Sequence, residues 1–321
     1  MTSRSKWDIA IDGEECISEN RINSANTTDN NIDKRTILEL LDNNSLTTHF
    51  QPIFSSKDGA VYGYEALTRI KGDNNRINIE ELFKRAILTN TIASLDVKCR
   101  ENAISLASSL GINHNNACLF INVCPEALTD SAHSVGITDE LAEVFGISKE
   151  KIILEITEES AIHNCNLFKD AVAYYKKRGY KIAIDDFGAG YGGLKMLSVI
   201  EPDFVKIDRH FISNIDKATV KFNLVDSIAS ACHRIGIKVV AEGIEQEEEL
   251  KVVMNMGIDL LQGNYLYKPS PILNGDRAEI PILHSKKANC CSTNGEQCFI
   301  GDIVHRIDPI PPSAHLTAAF N

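Results

Sequence analysis

The chain has 321 residues and a mass of 35.4 kDa, and 43% of its residues are hydrophobic and 24% charged, as in an ordinary globular protein. No apolar run approaches the ~18 residues that a membrane span needs, and residues 1–16 contain no apolar signal core, which argues against secretion. The net charge of −11 argues against binding of duplex nucleic acid. It permits a small anionic ligand if metal ions reverse the local charge.

The nine cysteines are scattered along the chain, without the spacing of a disulfide framework. An odd number of unspaced cysteines indicates reduced thiols in a cytosolic protein. We therefore expect a cytoplasmic location.

The first part of the chain, residues 1–32, is rich in Asn, Ser, Thr and Asp and is predicted to be a flexible leader. A helical pattern begins at Asp33. Short β-branched runs then alternate with amphipathic segments, several of which end in Gly, a helix stop. The predicted strands are residues 49–55, 61–70, 118–124, 152–157, 181–187, 204–208, 238–244 and 260–267. Helical stretches are predicted between them, for example residues 79–90, 96–111, 165–179, 221–236 and 246–257.

The alternation of strands and helices indicates parallel βαβ units, and eight strands predict an α/β fold, a closed (β/α)8 TIM-like barrel. The first two strands are joined by residues 56–60 only, with Asp58-Gly59 as a turn signal. Such a short connection cannot make a parallel crossover. The first strand is therefore predicted to be antiparallel.

The periodic pattern fades after Pro271. We interpret residues 276–321 as a linker followed by the start of a truncated C-terminal domain. The last segment, from Phe299 onward, faintly resembles the start of a CBS module.

Polar residues stand at the carboxyl ends of nearly all predicted strands, separated by about one βα unit. They are Glu65, Asn122, Glu155, Asp185, Asp186, Lys206, Glu242 and Gln262. In a (β/α)8 barrel these strand ends converge on one mouth, where active sites lie. Any one of them could be a simple loop cap, but the joint pattern predicts one shared cavity.

Five carboxylates in one cavity cannot all stay ionised without compensation. A ligand set rich in oxygen and free of His suits Mg²⁺ or Mn²⁺. The adjacent Asp185 and Asp186 allow one side chain to bridge two ions, and ions about 3.5–4 Å apart are a known arrangement for attack of water on a phosphodiester. The spacing Gly188, Gly190, Gly193 also matches a dinucleotide fingerprint. Two aspartates directly before it would repel a pyrophosphate, so a mobile loop is the better interpretation.

Eight motifs together resemble the EAL-domain cyclic di-GMP phosphodiesterase family, in order and across residues 33–275. They are QPI (51–53), EALTR (65–69), NVCPE (122–126), EITEES (155–160), DDFGAGYGGL (185–194), PDFVKIDRHFI (202–212), AEGIE (241–245) and LLQGNYLYKPSP (260–271).

This resemblance implies hydrolysis of cyclic di-GMP, a bacterial second messenger, to linear pGpG by water activated by two metal ions. The implied first-ion ligands are Glu65, Asn122, Glu155 and Asp185. Asp185 would bridge to the second ion, which Asp186 also binds, and Glu242 would sit at the metal site as the general base. Lys206 would contact the attacking water or a non-bridging oxygen, and Glu158 would anchor the loop 188–193.

The resemblance also implies the substrate contacts. Arg69 would pair with the uncleaved phosphate, which its planar fork suits, and Gln51, Leu67 and Pro269 would line the guanine and ribose. Gln262 would orient a water on the metal ions, and Glu245 would support Glu242. Purely structural roles are the alternative for Gln51, Glu245 and Pro269.

Three functions remain open at this point: an active phosphodiesterase, a catalytically silent module that senses cyclic di-GMP, and a module that regulates a partner protein. The complete set of acids favours the enzyme. Ca²⁺ is expected to inhibit, because it is larger and accepts looser geometry. We also expect a homodimer, formed through the helix after the fifth strand and its neighbours.

Overall fold

The computed structural model describes residues 32–72, 77–114, 116–124, 126–127, 136–157, 165–190, 193–275 and 278, with the side chains of 165–168 left aside. The predicted leader (1–32) and C-terminal extension (276–321) lie outside these residues except for Ile32 and Ala278. Glu158 also lies outside them.

The strands close into one barrel in sequence order. They are β1 (Leu46–Ser55), β2 (Val61–Ile70), β3 (Cys118–Asn122), β4 (Ile152–Thr157), β5 (Lys181–Phe187), β6 (Phe204–Ile207), β7 (Lys238–Ala241) and β8 (Leu260–Leu261). β1 is antiparallel to both β2 and β8, and the other neighbouring strands are parallel. The predicted barrel and its antiparallel first strand are therefore confirmed.

Helices connect the parallel strands. They are α1 (Lys34–Asp42), α2 (Ile79–Leu88), α3 (Ile92–Ser109), α4 (Ile137–Val144), α5 (Cys165–Lys177), α6 (Gly193–Ile200), α7 (Arg209–Ile212), α8 (Thr219–Arg234) and α9 (Glu247–Asn255). The Asp33 side chain accepts from the Thr36 N–H at 2.8 Å, and Asn78 caps α2 in the same way, so polar residues start these helices. Within the described residues, no helix has both the length and the apolar character needed to cross a membrane.

The barrel interior is divided into two layers, because alternate residues of each strand face inward. The lower layer is apolar and includes Ile53, Phe120, Ile153, Ala183, Phe204, Val240 and Leu260. The rings of Phe120 and Phe204 meet edge to face at 5.6 Å. Gly63 makes room for them, because a Cβ there would lie 2.8 Å from a Phe120 ring carbon. This apolar layer closes the barrel beneath its mouth.

Candidate active site

The predicted polar residues form the upper layer, two positions from the residues of the lower layer on every strand. Glu65 follows Gly63, Glu155 follows Ile153, and Lys206 follows Phe204. Because of this spacing, these side chains turn toward the mouth, with the exception of Asp186, which directly follows Asp185. Glu65, Glu155, Asp185, Lys206 and Gln262 are buried, while Glu242 is half-buried and Asn122 and Asp186 are exposed.

Lys206 lies at the centre of the acidic residues. Its Nζ is 2.6 Å from Oε1 of Glu242, 2.7 Å from Oε1 of Glu155, 2.9 Å from Oδ1 of Asp185 and 3.5 Å from Oε2 of Glu65. Three strands, and the residue directly after β7, thus contribute carboxylates to one ammonium group. The sequence predicted a shared cavity for these residues, and the structure brings them into contact.

Amide side chains extend this network around the mouth. Gln262 donates from Nε2 to Oε2 of Glu65 at 2.6 Å and to Oε1 of Gln51 at 3.2 Å. Gln51 donates in turn to the carbonyl oxygen of Tyr267 at 3.0 Å, and Asn122 donates to Oε2 of Glu155 at 3.4 Å. Gln51 and Gln262 therefore fix the Glu65 side of the site.

Asp185 and Asp186 both reach the site, although neighbouring strand residues normally face opposite sides. Asp186 has a left-handed backbone with φ of +52°, and the pairing of β5 with β6 is interrupted between Ile184 and Phe187. This irregularity turns the Asp186 side chain back toward the mouth. Left-handed backbone is uncommon outside glycine, and strained positions of this kind concentrate at functional sites.

Two groups of oxygen ligands result, each with its ligand atoms within 4.8 Å of one another. One group is Glu65, Glu155 and Asp185, and the other is Asp185, Asp186 and Glu242. Asp185 belongs to both. The acids thus form two adjoining sets with one common carboxylate.

Burial and mutual repulsion govern protonation in the site. Burial raises the pKa of Glu155 and of Glu242 well above the usual range, and Lys206 only partly offsets this. Asp186 is exposed toward the mouth, but the surrounding protein partly desolvates its carboxylate, and this desolvation and the Asp185 charge raise the pKa of Asp186 to about 6. Burial alone would lower the pKa of Lys206, but the surrounding carboxylates outweigh it and raise that pKa. The single positive charge of Lys206 is therefore insufficient to keep all of these carboxylates ionised.

The donor set fits divalent cations. The five carboxylates, if all are ionised, carry four more charges than the single ammonium of Lys206 balances. The buried Oε1 of Glu155 and Oδ1 of Asp185 have the Lys206 ammonium as their one partner among the described residues, and the buried Oε1 of Gln262 has no hydrogen-bond partner there. Such oxygen donors suit hard cations such as Mg²⁺ or Mn²⁺.

A cavity of about 680 Å³ lies next to the acidic mouth. Its lining includes the predicted substrate residues Arg69 and Pro269 and three further basic side chains, which are His49, Lys71 and Lys268. Thr47 pairs with Arg69, His49 with Leu67, and Gln51 with Glu65 in the β1–β2 ladder. The cavity therefore continues outward along the same face of the hairpin that carries Glu65.

Two predicted substrate residues, Gln51 and Leu67, do not line this cavity. Gln51 belongs to the hydrogen-bond network of the mouth, and Leu67 is half-buried on β2 opposite His49. Neither is among the described residues that line the cavity.

Glu245 lies outside the acidic cluster and pairs with Arg209, with Oε1 and Nη2 2.8 Å apart. The sequence reasoning missed Arg209, His49 and Lys268. Arg209 comes three positions after Lys206 and was inside a quoted motif, which was the only available signal. Lys268 also lay inside a quoted motif, directly before Pro269, whereas His49 lay outside all of the motifs.

The fold and the site together are those of a (β/α)8-barrel protein whose mouth carries two adjoining groups of acidic ligands, which suit divalent metal ions. The EAL domain family model matches residues 34–269, and the chain belongs to the EAL domain family.

The chain is similar in sequence to a curated protein of this family. The chain is 30% identical over 251 residues to the cyclic di-GMP phosphodiesterase PdeF of Escherichia coli K12, covering 77% of this chain and 33% of that protein. The chain thus spans about a third of the length of this curated relative.

Two solved structures are similar in fold and sequence. The c-di-GMP-bound standalone versatile EAL protein of Vibrio cholerae O395 has a TM-score of 0.64 and 32% identity, covering 72% of this chain and 94% of that one. The manganese and cy-diGMP complex of Klebsiella pneumoniae BlrP1 at pH 9.0 has a TM-score of 0.64 and 30% identity, covering 70% and 56% of the two chains.

Proposed function

We propose that this chain is a phosphodiesterase that hydrolyses cyclic di-GMP to linear pGpG with two divalent cations, Mg²⁺ or Mn²⁺. The observation that carries this proposal is the pair of acidic groups that share Asp185 beside Lys206. The relatives support it, since one is named as a cyclic di-GMP phosphodiesterase and another was solved with manganese and cy-diGMP.

The acidic residues would hold the ions. Glu65, Asn122, Glu155 and Asp185 would hold the first, and Asp185 and Asp186 the second, with Glu242 beside it. When bound, two such ions supply Lewis acidity toward the phosphoryl group and lower the pKa of water. Asn122 is exposed at the rim, and turning its amide toward an ion would break only its long hydrogen bond to Oε2 of Glu155, at 3.4 Å.

The protein itself supplies charge and orientation. The Lys206 ammonium is fixed by four carboxylates and would stabilise negative charge that develops on the phosphate oxygens. Glu242, 2.6 Å from Lys206, would accept the proton of the attacking water. Gln262 would orient that water, the 3′ oxygen would leave, and the reaction would need no covalent nucleophile.

The acidic mouth and the basic cavity beside it suggest how a substrate with two phosphates would lie in the site. One phosphate would meet the ions in the acidic mouth, and the other would pair with Arg69 in the adjoining basic cavity. Gln51, Leu67 and Pro269 would contact the guanine and ribose. Glu245 would support Glu242 through the segment that carries both residues, and Glu158 would anchor the loop 188–193.

A homodimer and a cytoplasmic location are part of the same proposal. Large apolar side chains are exposed on the helices that follow β5 and β6, with Leu194 74%, Val220 72% and Leu224 46% exposed. Exposed apolar surface of this kind suits an interface between copies. Light scattering should give a dimer for the native chain and a monomer for Val220→Asp; a monomeric native chain at micromolar concentration would contradict the dimer.

Incubation with cyclic di-GMP and Mg²⁺ or Mn²⁺, with and without EDTA, tests the activity. Product chromatography should detect pGpG only without EDTA, and Ca²⁺ in place of Mn²⁺ should suppress it. Binding of cyclic di-GMP without turnover would instead support a receptor. An absence of both would support a regulator that acts by binding protein.

A further inference from the structure

Glu249 is a buried acid outside the catalytic cluster. It lies in the first turn of α9 and is 1% exposed, whereas Glu247 and Glu248 beside it are exposed. A buried carboxylate is costly unless it is paired or hydrogen-bonded. No Lys, Arg or His of the described chain forms an ion pair with it. Its stabilisation must therefore come from hydrogen bonds.

Three backbone N–H groups donate to this carboxylate. Oε2 accepts from Glu245 at 2.9 Å and from Gln246 at 3.1 Å, and Oε1 accepts from Asn214 at 2.8 Å. The first two bonds are those expected of an acid near a helix N-terminus. The third reaches a residue 35 positions away, which helix capping does not require.

The two segments that Glu249 joins each follow a strand of the active site. Asn214 follows α7, which comes directly after the strand that carries Lys206. Glu245 and Gln246 follow Glu242 after β7. Lys206 and Glu242 themselves are 2.6 Å apart. Glu249 therefore links, from outside the barrel mouth, the same two chain segments whose side chains meet inside it.

The segment that carries Glu242 is held at several further points. The N–H of Glu242 donates to the carbonyl of Ile207 at 3.3 Å, and the N–H of Ile244 donates to that of Gln262 at 3.1 Å. Gly243 has a φ of +65°, and a Cβ there would lie 2.4 Å from Cγ of Arg209. Glu249 fixes the remaining end of this segment, where it enters α9.

We propose that Glu249 is a positioning residue, which sets the placement of Glu242 relative to Lys206 by tying the segment after β7 to the segment after α7. It touches neither substrate nor ions. Only the catalytic part of this inference rests on the proposed function, because the geometry of Glu242 also determines how well the second acidic group can bind a cation.

The test compares Glu249→Gln with Glu248→Gln, which removes the same charge from the exposed neighbouring residue. Glutamine keeps the size of Glu249 but has one acceptor oxygen, so either Asn214 or the Glu245–Gln246 pair loses its partner. Thermal unfolding gives the midpoint of each variant. Mn²⁺ binding is measured by electron paramagnetic resonance, and kcat and KM by pGpG formation, at a temperature well below the midpoint of the less stable variant.

For Glu249→Gln we expect Mn²⁺ affinity and kcat to fall by about tenfold or more, as for other residues that orient metal ligands. KM for cyclic di-GMP should stay within about threefold, since ground-state binding is kept. Glu248→Gln should match the native chain. Native-like kcat and Mn²⁺ affinity in Glu249→Gln would overturn the proposal. A fall in kcat that is fully explained by a smaller fraction of folded protein would also overturn it. If the native chain produces no pGpG, the proposed function fails, and the Mn²⁺ affinities of the two variants still decide the role of Glu249.

Discussion

The two layers inside the barrel use the same strands for opposite purposes. Phe120, Phe204 and Val240 fill the lower layer with apolar volume, and two residues further on the same strands carry Asn122, Lys206 and Glu242. The apolar layer excludes water from below, so burial penalises each charge above it and raises the pKa of Glu155 and Glu242. The packing beneath the mouth thus adds to the electrostatic cost that the proposed cations would relieve.

The largest effect should come from removing the shared carboxylate. Asp185→Asn takes one charge from both ligand groups and should lower kcat by about 10³-fold, as for loss of a key electrostatic group. The control is Asp226→Asn on the exposed face of α8, which should retain full activity. If Asp185→Asn kept turnover within tenfold of the native chain, the upper layer would not be the layer that carries the reaction.

A change in the lower layer should affect stability instead of chemistry. Phe120 is fully buried, and Phe120→Ala should lower the free energy of unfolding by about 3–5 kcal/mol. Turnover per folded molecule should change little. Leu88→Ala, at a position 75% exposed, is the control for urea unfolding. An unchanged stability combined with lost turnover would show that Phe120 acts on the reaction directly.

Cations should stabilise the fold through the upper layer alone. Mn²⁺ at about 100 times its dissociation constant should add about 2.7 kcal/mol to the free energy of unfolding. Asp185→Asn should abolish most of that gain, and Phe120→Ala should retain it. Calorimetry with and without Mn²⁺ measures both. An equal gain in all three proteins would place the bound ions elsewhere.

The smallest effect is expected in the basic cavity next to the mouth. Arg69→Ala removes one charged hydrogen-bonding group from the cavity lining and should raise KM by about tenfold, with kcat nearly unchanged. Arg35→Ala, on the exposed surface of α1, is the matched control. A fall in kcat at constant KM would assign Arg69 to the reaction centre instead.

The convergence of polar side chains on one mouth could be predicted from the sequence because two strong regularities combine. Parallel strands bring their carboxyl ends to one side, and alternate residues share a face, so Glu65, Glu155 and Lys206 had to converge. The contacts of Lys206 with four carboxylates could not be predicted, because they depend on side-chain reach across the barrel. The left-handed backbone of Asp186 had no local signal either.

Strand ends and short helices were predicted less well. The predicted strands 238–244 and 260–267 end early, at Ala241 and Leu261, because Gly243 is left-handed and Gly263 approaches Ile244 too closely for a Cβ. Helices α4 and α7 were not among the predicted helices, and α6 was expected only as the helix after the fifth strand, without bounds, since segments of four to eight residues barely complete an amphipathic period. Glu249 resembled an ordinary helix cap, because its bond to Asn214 is visible only in three dimensions.

Counting bound ions tests the central claim most directly. Crystals grown with Mn²⁺ and measured for anomalous scattering should show two ions, one among Glu65, Glu155 and Asp185 and one among Asp185, Asp186 and Glu242. A mouth in which these oxygens point apart, with no ion between them at saturating Mn²⁺, would contradict the account.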